Sequence, residues 1–236
     1  MKKDPLNEQR RLRVIDRENM LGVIQDSPRF FSEALSICKK FPPLGKKRPK
    51  NIVISGMGGS AISGDIAATC LWEEGVPIPV FVNRDYRPPL WVDKQTLFIA
   101  VSYSGNTEET LASLQTAQKK GAEILTLSSG GKLQEIALKK GFPHLLIPKG
   151  FQPRAALPFL LTPLLYLLSQ KGLYPSFSKH FQEALKVFNY ASSHSAKQLA
   201  SRLKGVFPVI FESRETAASA LRFKNQLNEN SKTMAL

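Results

Sequence analysis

The chain has 236 residues, of which 42% are hydrophobic, and it carries a formal net charge of +14. That length suffices for one complete hydrophobic core and part of a second. The longest apolar stretch, residues 155–168, is interrupted by two prolines and is shorter than the ~20 residues of a membrane-spanning helix, so no membrane association is expected. The N-terminus has no apolar signal-peptide core, and Cys38 and Cys70 show no metal-binding spacing, so a reducing cytoplasm is the expected compartment.

Half of the net charge of +14 lies in residues 1–50, which contain 13 Lys or Arg and 6 Asp or Glu. A nucleic-acid partner is one interpretation, because attraction to backbone phosphates is additive and independent of sequence. A solvated basic surface that attracts small anions is the other. The sequence favours the second interpretation, since no helix-turn-helix or aromatic-interleaved basic motif is present, and no nucleic-acid partner is expected.

An alternation of short apolar runs and helical segments dominates the first two thirds of the chain. After a predicted N-terminal helical segment, five apolar runs occur at residues 51–55, 78–82, 97–101, 123–127 and 144–147. Helix-like stretches separate them, as in parallel sheets that are buried on both faces. The pattern predicts an α/β fold, a doubly wound parallel five-stranded sheet flanked by helices, with ligands binding at the carboxyl ends of the strands.

The C-terminal third predicts the beginning of a second unit. A helix over residues 155–168 closes the sheet, a long helix connects residues 177–204, and a strand at 206–211 precedes a helix at 215–232. We therefore predict four segments: an N-terminal helical segment, a ligand-binding α/β domain, a connecting helix and an incomplete second subdomain, at residues 1–45, 46–175, 176–204 and 205–236.

The first β–α turn reads Gly-Met-Gly-Gly-Ser at residues 56–60. Its glycines allow a ligand to approach the backbone closely, and Ser60 can cap the following helix or donate to a phosphate. The turn also satisfies GxGxxA, and Asp85 follows the second predicted strand, so a nucleotide-binding oxidoreductase is an alternative. A purely structural tight turn is a further alternative.

The third turn reads Ser-Tyr-Ser-Gly-Asn-Thr at residues 102–107. Hydroxyls at the mouth of a helix favour a phosphate monoester, and Ser104 with Thr107 is the pair expected to wrap its oxygens. Ordinary N-capping by Thr107 is the alternative, but it requires one hydroxyl and the turn has three. The fourth turn, Ser-Ser-Gly-Gly at residues 128–131, is either a tight turn or part of the pocket wall.

These turns resemble those of the SIS (sugar isomerase) domain, whose motifs GMGGS and SYSGNTEET occur here. PRAALP at residues 153–158 and LRFKNQLNENSK at residues 221–232 narrow the resemblance to the bifunctional phosphoglucose/phosphomannose isomerase family, from about residue 51 to the C-terminus. The resemblance implies a SIS fold and interconversion of glucose 6-phosphate or mannose 6-phosphate with fructose 6-phosphate through an enediolate. It implies no metal or redox cofactor.

Carried over to this sequence, the family's motifs assign the sugar phosphate's binding positions to Gly58, Gly59, Ser60, Ser102, Ser104 and Thr107. Arg154 matches the arginine beside the reacting carbons, where a guanidinium stabilises an oxyanion, and Glu229 matches the base that moves the proton. The resemblance also implies a homodimer. The family's pattern further includes a ring-opening histidine after the glutamate and a lysine near the C-terminus, and this sequence has neither. A non-catalytic sugar-phosphate-binding SIS module is therefore the alternative function.

Overall fold

A computed structural model describes residues 14–190 and 193–236. Five parallel strands form one sheet in the order β2-β1-β3-β4-β5. Their bounds are Asn51–Ser55 (β1), Val80–Asn83 (β2), Thr96–Ser102 (β3), Glu123–Ser128 (β4) and His144–Leu146 (β5). The predicted doubly wound five-stranded sheet is confirmed.

The helices lie on both faces of this sheet. In the described part of the chain they are Met20–Gln25 (α1), Ser27–Cys38 (α2), Gly58–Glu73 (α3), Glu108–Lys119 (α4), Gly131–Lys140 (α5), Leu157–Gln170 (α6), Phe177–Tyr190 (α7), Ser193–Leu203 (α8) and Ala217–Asn230 (α9). A short 3-10 turn, Pro153–Ala155, precedes α6.

The side chains of the strands alternate between two apolar clusters, one on each face of the sheet. Ile52 and Ile54 point to the cluster formed with α2, α3 and α6, whereas Val53 and Phe98 point to the cluster formed with α4 and α5. Every residue of β3 is buried. Burial on both faces explains why the strands read as continuous apolar runs rather than as alternating patterns.

The strand order reverses at β1. From β1, the chain first crosses to β2 on one side and then to β3 on the other. The helices that leave the carboxyl ends of β1 and β3 therefore diverge, and a crevice opens between the two β–α loops. This crevice lies between residues 56–60 and residues 102–107, the two loops that the sequence singles out.

The C-terminal third differs from the prediction in one place. Residues 206–211 form no strand, although the Ile210 amide donates to the Leu236 carbonyl (2.8 Å) and the Leu236 amide donates to the Pro208 carbonyl (3.1 Å). The apolar run was predicted as a strand, but a strand needs a longer ladder than these two bonds provide. The connecting helix predicted for residues 177–204 corresponds to α7 and α8, and residues 191 and 192 between them lie outside the described residues.

Other predicted bounds are close to the observed ones. The N-terminal helical segment contains α1 and α2, while its first 13 residues lie outside the described residues. The second strand begins two residues later than predicted, after Pro79. Among the helices of the described ranges, none is long and apolar enough to cross a membrane.

Candidate phosphate-binding and catalytic site

The first loop packs directly against the turn that carries Arg154. A Cβ atom on Gly59 would lie 2.7 Å from the Pro153 carbonyl oxygen, so only glycine allows this approach. Ser60 is buried in the first turn of α3, and its Oγ accepts a hydrogen bond from the Tyr103 amide (3.2 Å). The Ser60 hydroxyl thus ties the first loop to the third and retains its own proton for donation.

The third loop holds two of its hydroxyls together at the start of α4. Ser102 Oγ lies 2.8 Å from Thr107 Oγ1 and accepts the Gly105 amide (3.1 Å). Ser104 is exposed, and its Oγ accepts the Asn106 amide (3.2 Å). Three hydroxyls are therefore fixed by short local bonds around the mouth of one helix.

Thr107 occupies the N-cap position of α4 in an extended conformation but makes no side-chain capping bond. This finding argues against the alternative that Thr107 serves only as a helix cap. The first amides of a helix have no partner within the helix, and the helix dipole makes this end attractive to anions. The geometry consequently favours an anion at the helix start.

The fourth loop braces the third. Gly130 packs so closely on Gly105 that a Cβ on Gly105 would collide with the Gly130 carbonyl oxygen. The Leu133 amide donates to the Gly105 carbonyl (2.9 Å), and the Lys132 amide donates to Asn106 Oδ1 (3.0 Å). The hydroxyl of Ser128 donates to the Gly130 carbonyl (2.7 Å) and is not free to donate to a ligand. The fourth loop therefore supports the third loop structurally.

The 3-10 turn Pro153–Ala155 brings Arg154 to the edge of the first loop. The Arg154 carbonyl accepts hydrogen bonds from Arg222 Nη2 (3.3 Å) and Gln226 Nε2 (3.4 Å), both on α9. Arg154 Nε is buried and has no hydrogen-bond partner among the described residues. A buried, unpaired guanidinium N–H is uncommon and indicates hydrogen-bonding capacity that the fold itself does not use.

Helix α9 carries Glu229 one turn beyond Gln226. Burial lowers the pKa of Arg222, and the nearby Glu229 carboxylate partly offsets this shift. Glu229 itself is exposed. Arg222 and Gln226 thus attach α9 to the Arg154 turn, and Glu229 lies three residues beyond Gln226 on the same helix. Within the described residues, no hydrogen bond or ion pair joins Glu229 to Arg154.

The fold thus brings six predicted residues into two facing loops and anchors a seventh, Arg154, beside the first loop. Sequence reasoning gave no role to Tyr103, Arg222 or Gln226. The two α9 side chains reach a carbonyl 68 and 72 residues earlier in the chain, and no local pattern encodes such a contact. Asp85, the candidate ribose-binding acid, is exposed and accepts the amide of Arg87 (3.4 Å) within its own turn.

Two family profiles match the chain. One, described as a SIS domain, matches residues 47–137, which include both loops of the crevice. The other, described as a bacterial phospho-glucose isomerase C-terminal SIS domain, matches residues 192–236.

Two solved structures with a similar fold have names that refer to sugar phosphates. The C-terminal domain of glucosamine-fructose-6-phosphate aminotransferase from Francisella tularensis has a TM-score of 0.72 at 20% identity, covering 92% of this chain and 68% of that one. Tagatose-6-phosphate ketose/aldose isomerase from Escherichia coli has a TM-score of 0.62 at 17% identity, covering 91% and 65%. At these identities the likeness concerns the fold alone. The profile match at residues 47–137 makes the chain a SIS-domain protein.

Relatives that are similar in sequence identify a particular family of SIS-domain proteins. Bifunctional phosphoglucose/phosphomannose isomerases from Caldicellulosiruptor bescii and Aquifex aeolicus are 43% and 41% identical over 195 and 186 residues, covering 78% and 79% of this chain. A D-glucosamine-6-phosphate 4-epimerase from Sulfolobus acidocaldarius is 34% identical over 90% of this chain and 66% of its own length. The chain belongs to the bifunctional phosphoglucose/phosphomannose isomerase family, as its motifs indicated. It spans 57% of the length of the first two relatives.

Proposed function

We propose that this protein binds a hexose 6-phosphate in the crevice between its first and third β–α loops and interconverts the aldose and ketose forms. The observation that carries the proposal is the uncapped start of α4, where the hydroxyls of Ser102 and Thr107 lie 2.8 Å apart at the switch point of the sheet. Helix-terminal amides together with hydroxyl donors match the three oxygens of a phosphate monoester.

In this proposal the hydroxyls of Ser60, Ser104 and Thr107 donate hydrogen bonds to the phosphate, and Ser102 donates to Thr107 Oγ1 and so holds that hydroxyl in place. Gly58 and Gly59 let the phosphate approach the start of α3. All four hydroxyl oxygens already take part in hydrogen bonds within the loops. Their positions are thus set before the ligand arrives, which reduces the entropy lost on binding. The sugar carbons then extend from the crevice toward Arg154.

The proposed chemistry uses one base and one cation. The Glu229 carboxylate removes a proton from C2 of the aldose or C1 of the ketose and returns it to the neighbouring carbon. In the same interconversion the hydroxyl proton of the sugar moves between O2 and O1 of the enediolate. The Arg154 guanidinium stabilises the oxyanion of the enediolate, and its unpaired buried Nε–H is consistent with a partner supplied by the substrate.

We further infer that residues 46–175 form the sugar-phosphate-binding unit and that residues 205–236 belong to a second SIS subdomain. The family match at residues 192–236 and the exposed apolar side chains of this region, such as Phe211 at 90% exposure, support the second inference. By family resemblance the active species is a homodimer in the cytoplasm.

The test is a coupled assay that follows conversion of fructose 6-phosphate into glucose 6-phosphate and mannose 6-phosphate, combined with binding calorimetry. Formation of either product from fructose 6-phosphate supports the proposed activity. Binding without turnover would reduce the function to a sugar-phosphate-binding module, and absence of binding would contradict the proposed site altogether.

A further inference from the structure

Tyr103 is buried in the third loop, with 8% of its surface exposed, and its ring extends toward the segment that precedes Arg154. Its hydroxyl accepts the Phe151 amide (2.7 Å) and donates to the Pro148 carbonyl (3.2 Å). Burial raises the pKa of this phenol, so the hydroxyl keeps its proton at neutral pH. The side chain thus clamps both ends of a four-residue segment, residues 148–151.

The backbone of Tyr103 makes the remaining connections. Its amide donates to Ser60 Oγ (3.2 Å), and its carbonyl accepts both the amide (2.9 Å) and the hydroxyl (2.7 Å) of Ser129. One residue therefore contacts the first loop and the fourth loop while belonging to the third. Its hydroxyl adds the only hydrogen bonds recorded, within residues 14–190 and 193–236, between the third loop and residues 148–151.

The clamped segment leads directly to Arg154. Phe151 packs edge-on against Phe30 (ring centroids 4.9 Å apart) and against Phe159 (5.0 Å), so it is held on its other side by the core. Two residues later, the Pro153 carbonyl lies against Gly59 of the first loop. The Tyr103 clamp and the contact at Gly59 therefore fix Arg154 relative to the phosphate loops, while the hydrogen bonds from α9 hold its carbonyl from the other side of the turn.

We propose that Tyr103 is a positioning residue that holds Arg154 at a fixed distance from the phosphate-binding loops. The proposal rests on the proposed function, because it assumes that phosphate lies in the loops and that the sugar contacts Arg154. The loops themselves do not depend on the phenol oxygen, since Tyr103 contacts Ser60 and Ser129 through its backbone. Loss of the hydroxyl should consequently affect the sugar end of the ligand and spare the phosphate end.

The experiment measures the binding of fructose 6-phosphate and of inorganic phosphate to the full chain and its Tyr103→Phe variant by calorimetry. The affinity for fructose 6-phosphate should fall about tenfold, the size expected when one hydrogen bond to a charged group is misaligned. The affinity for inorganic phosphate should stay within about twofold. Partial unfolding cannot mimic this result, because it weakens both ligands by the same factor.

Repeating the Tyr103→Phe measurement in an Arg154→Ala variant separates a positioning role of Tyr103 from a general structural role. In Arg154→Ala, Tyr103→Phe should cause no further loss of fructose 6-phosphate affinity, since the residue through which it acts is gone. Tyr166→Phe is the matched control, because the Tyr166 hydroxyl accepts a hydrogen bond from Gln170 Nε2 (3.1 Å) within α6 and has no other hydrogen-bond partner among the described residues.

The outcomes are distinct. Equal losses for both ligands, an undiminished effect in the Arg154→Ala background, or unchanged affinity for both ligands would overturn the positioning role and leave the proposed function intact. Failure of the unsubstituted chain to bind fructose 6-phosphate would instead overturn the proposed function, and the role of Tyr103 with it.

Discussion

Thr107→Val removes one hydroxyl from the centre of the proposed phosphate site and leaves the shape of the side chain almost unchanged. Thr107 Oγ1 contacts Ser102 Oγ at 2.8 Å, and Ser102 still accepts the Gly105 amide after the substitution. Ser102 Oγ therefore keeps one of its two hydrogen bonds. The cost in the free energy of unfolding should be about 0.5–1.5 kcal/mol, the usual net contribution of a neutral hydrogen bond.

The effect on ligand binding should be larger. A hydrogen bond to a charged phosphate contributes about 1.5–3 kcal/mol, which corresponds to an affinity for fructose 6-phosphate that is about 10- to 150-fold lower. Calorimetry measures this affinity, and urea unfolding measures the stability of the same preparation. The control is Thr116→Val on the same helix, where the hydroxyl donates only to the Ala112 carbonyl (3.2 Å).

The reasoning would be refuted if Thr107→Val and Thr116→Val changed the affinity for fructose 6-phosphate by the same factor. That result would mean that Thr107 donates nothing to the ligand. The hydroxyl pair at the start of α4 would then be a structural feature of the loop.

Two further predictions concern the frame of the site. In urea titrations, Gly105→Ala should lower the free energy of unfolding by more than the control Gly141→Ala. Both glycines have positive φ (73° and 69°), a conformation that costs about 1–2 kcal/mol for alanine. Of the two, Gly105 alone also faces the Gly130 carbonyl, with which the added Cβ would collide. Equal losses would show that the fourth loop moves aside freely. Burial lowers the pKa of His144, whose ring lies 2.8 Å from Thr126 Oγ1, so the unfolded chain binds the extra proton first. Stability should therefore decline as the pH falls below about 6.5, the ordinary pKa of histidine, and the decline should be smaller in His144→Asn; parallel curves for the two proteins would contradict this assignment.

Much of the sheet could be predicted from the sequence, because β-branched runs between helical segments have few alternatives in a chain of this size. The third strand, fully buried from Thr96 to Ser102, contains the predicted run and extends it by one residue at each end. Where local signals and tertiary context disagree, the prediction failed: residues 206–211 have the composition of a strand but too few hydrogen-bonding partners in the described chain to form one.

The site was predictable only in part. Hydroxyls and glycines in loops after strands are visible in the sequence, since the carboxyl ends of parallel strands meet at one edge. The role proposed for Tyr103 depends on a hydroxyl that reaches 45 and 48 residues along the chain. The docking of α9 on the Arg154 carbonyl likewise joins residues that no periodicity relates.

The proposed isomerisation of a hexose phosphate depends on Glu229 as the base that moves the proton. The most direct measurement is deuterium incorporation from D₂O into the C1 and C2 positions of fructose 6-phosphate and its aldose products, followed by NMR. We predict incorporation with the unsubstituted chain and none above background with Glu229→Gln, while calorimetry shows the same affinity for fructose 6-phosphate in both. Equal deuterium incorporation by the two proteins would contradict the assignment of Glu229 as the base.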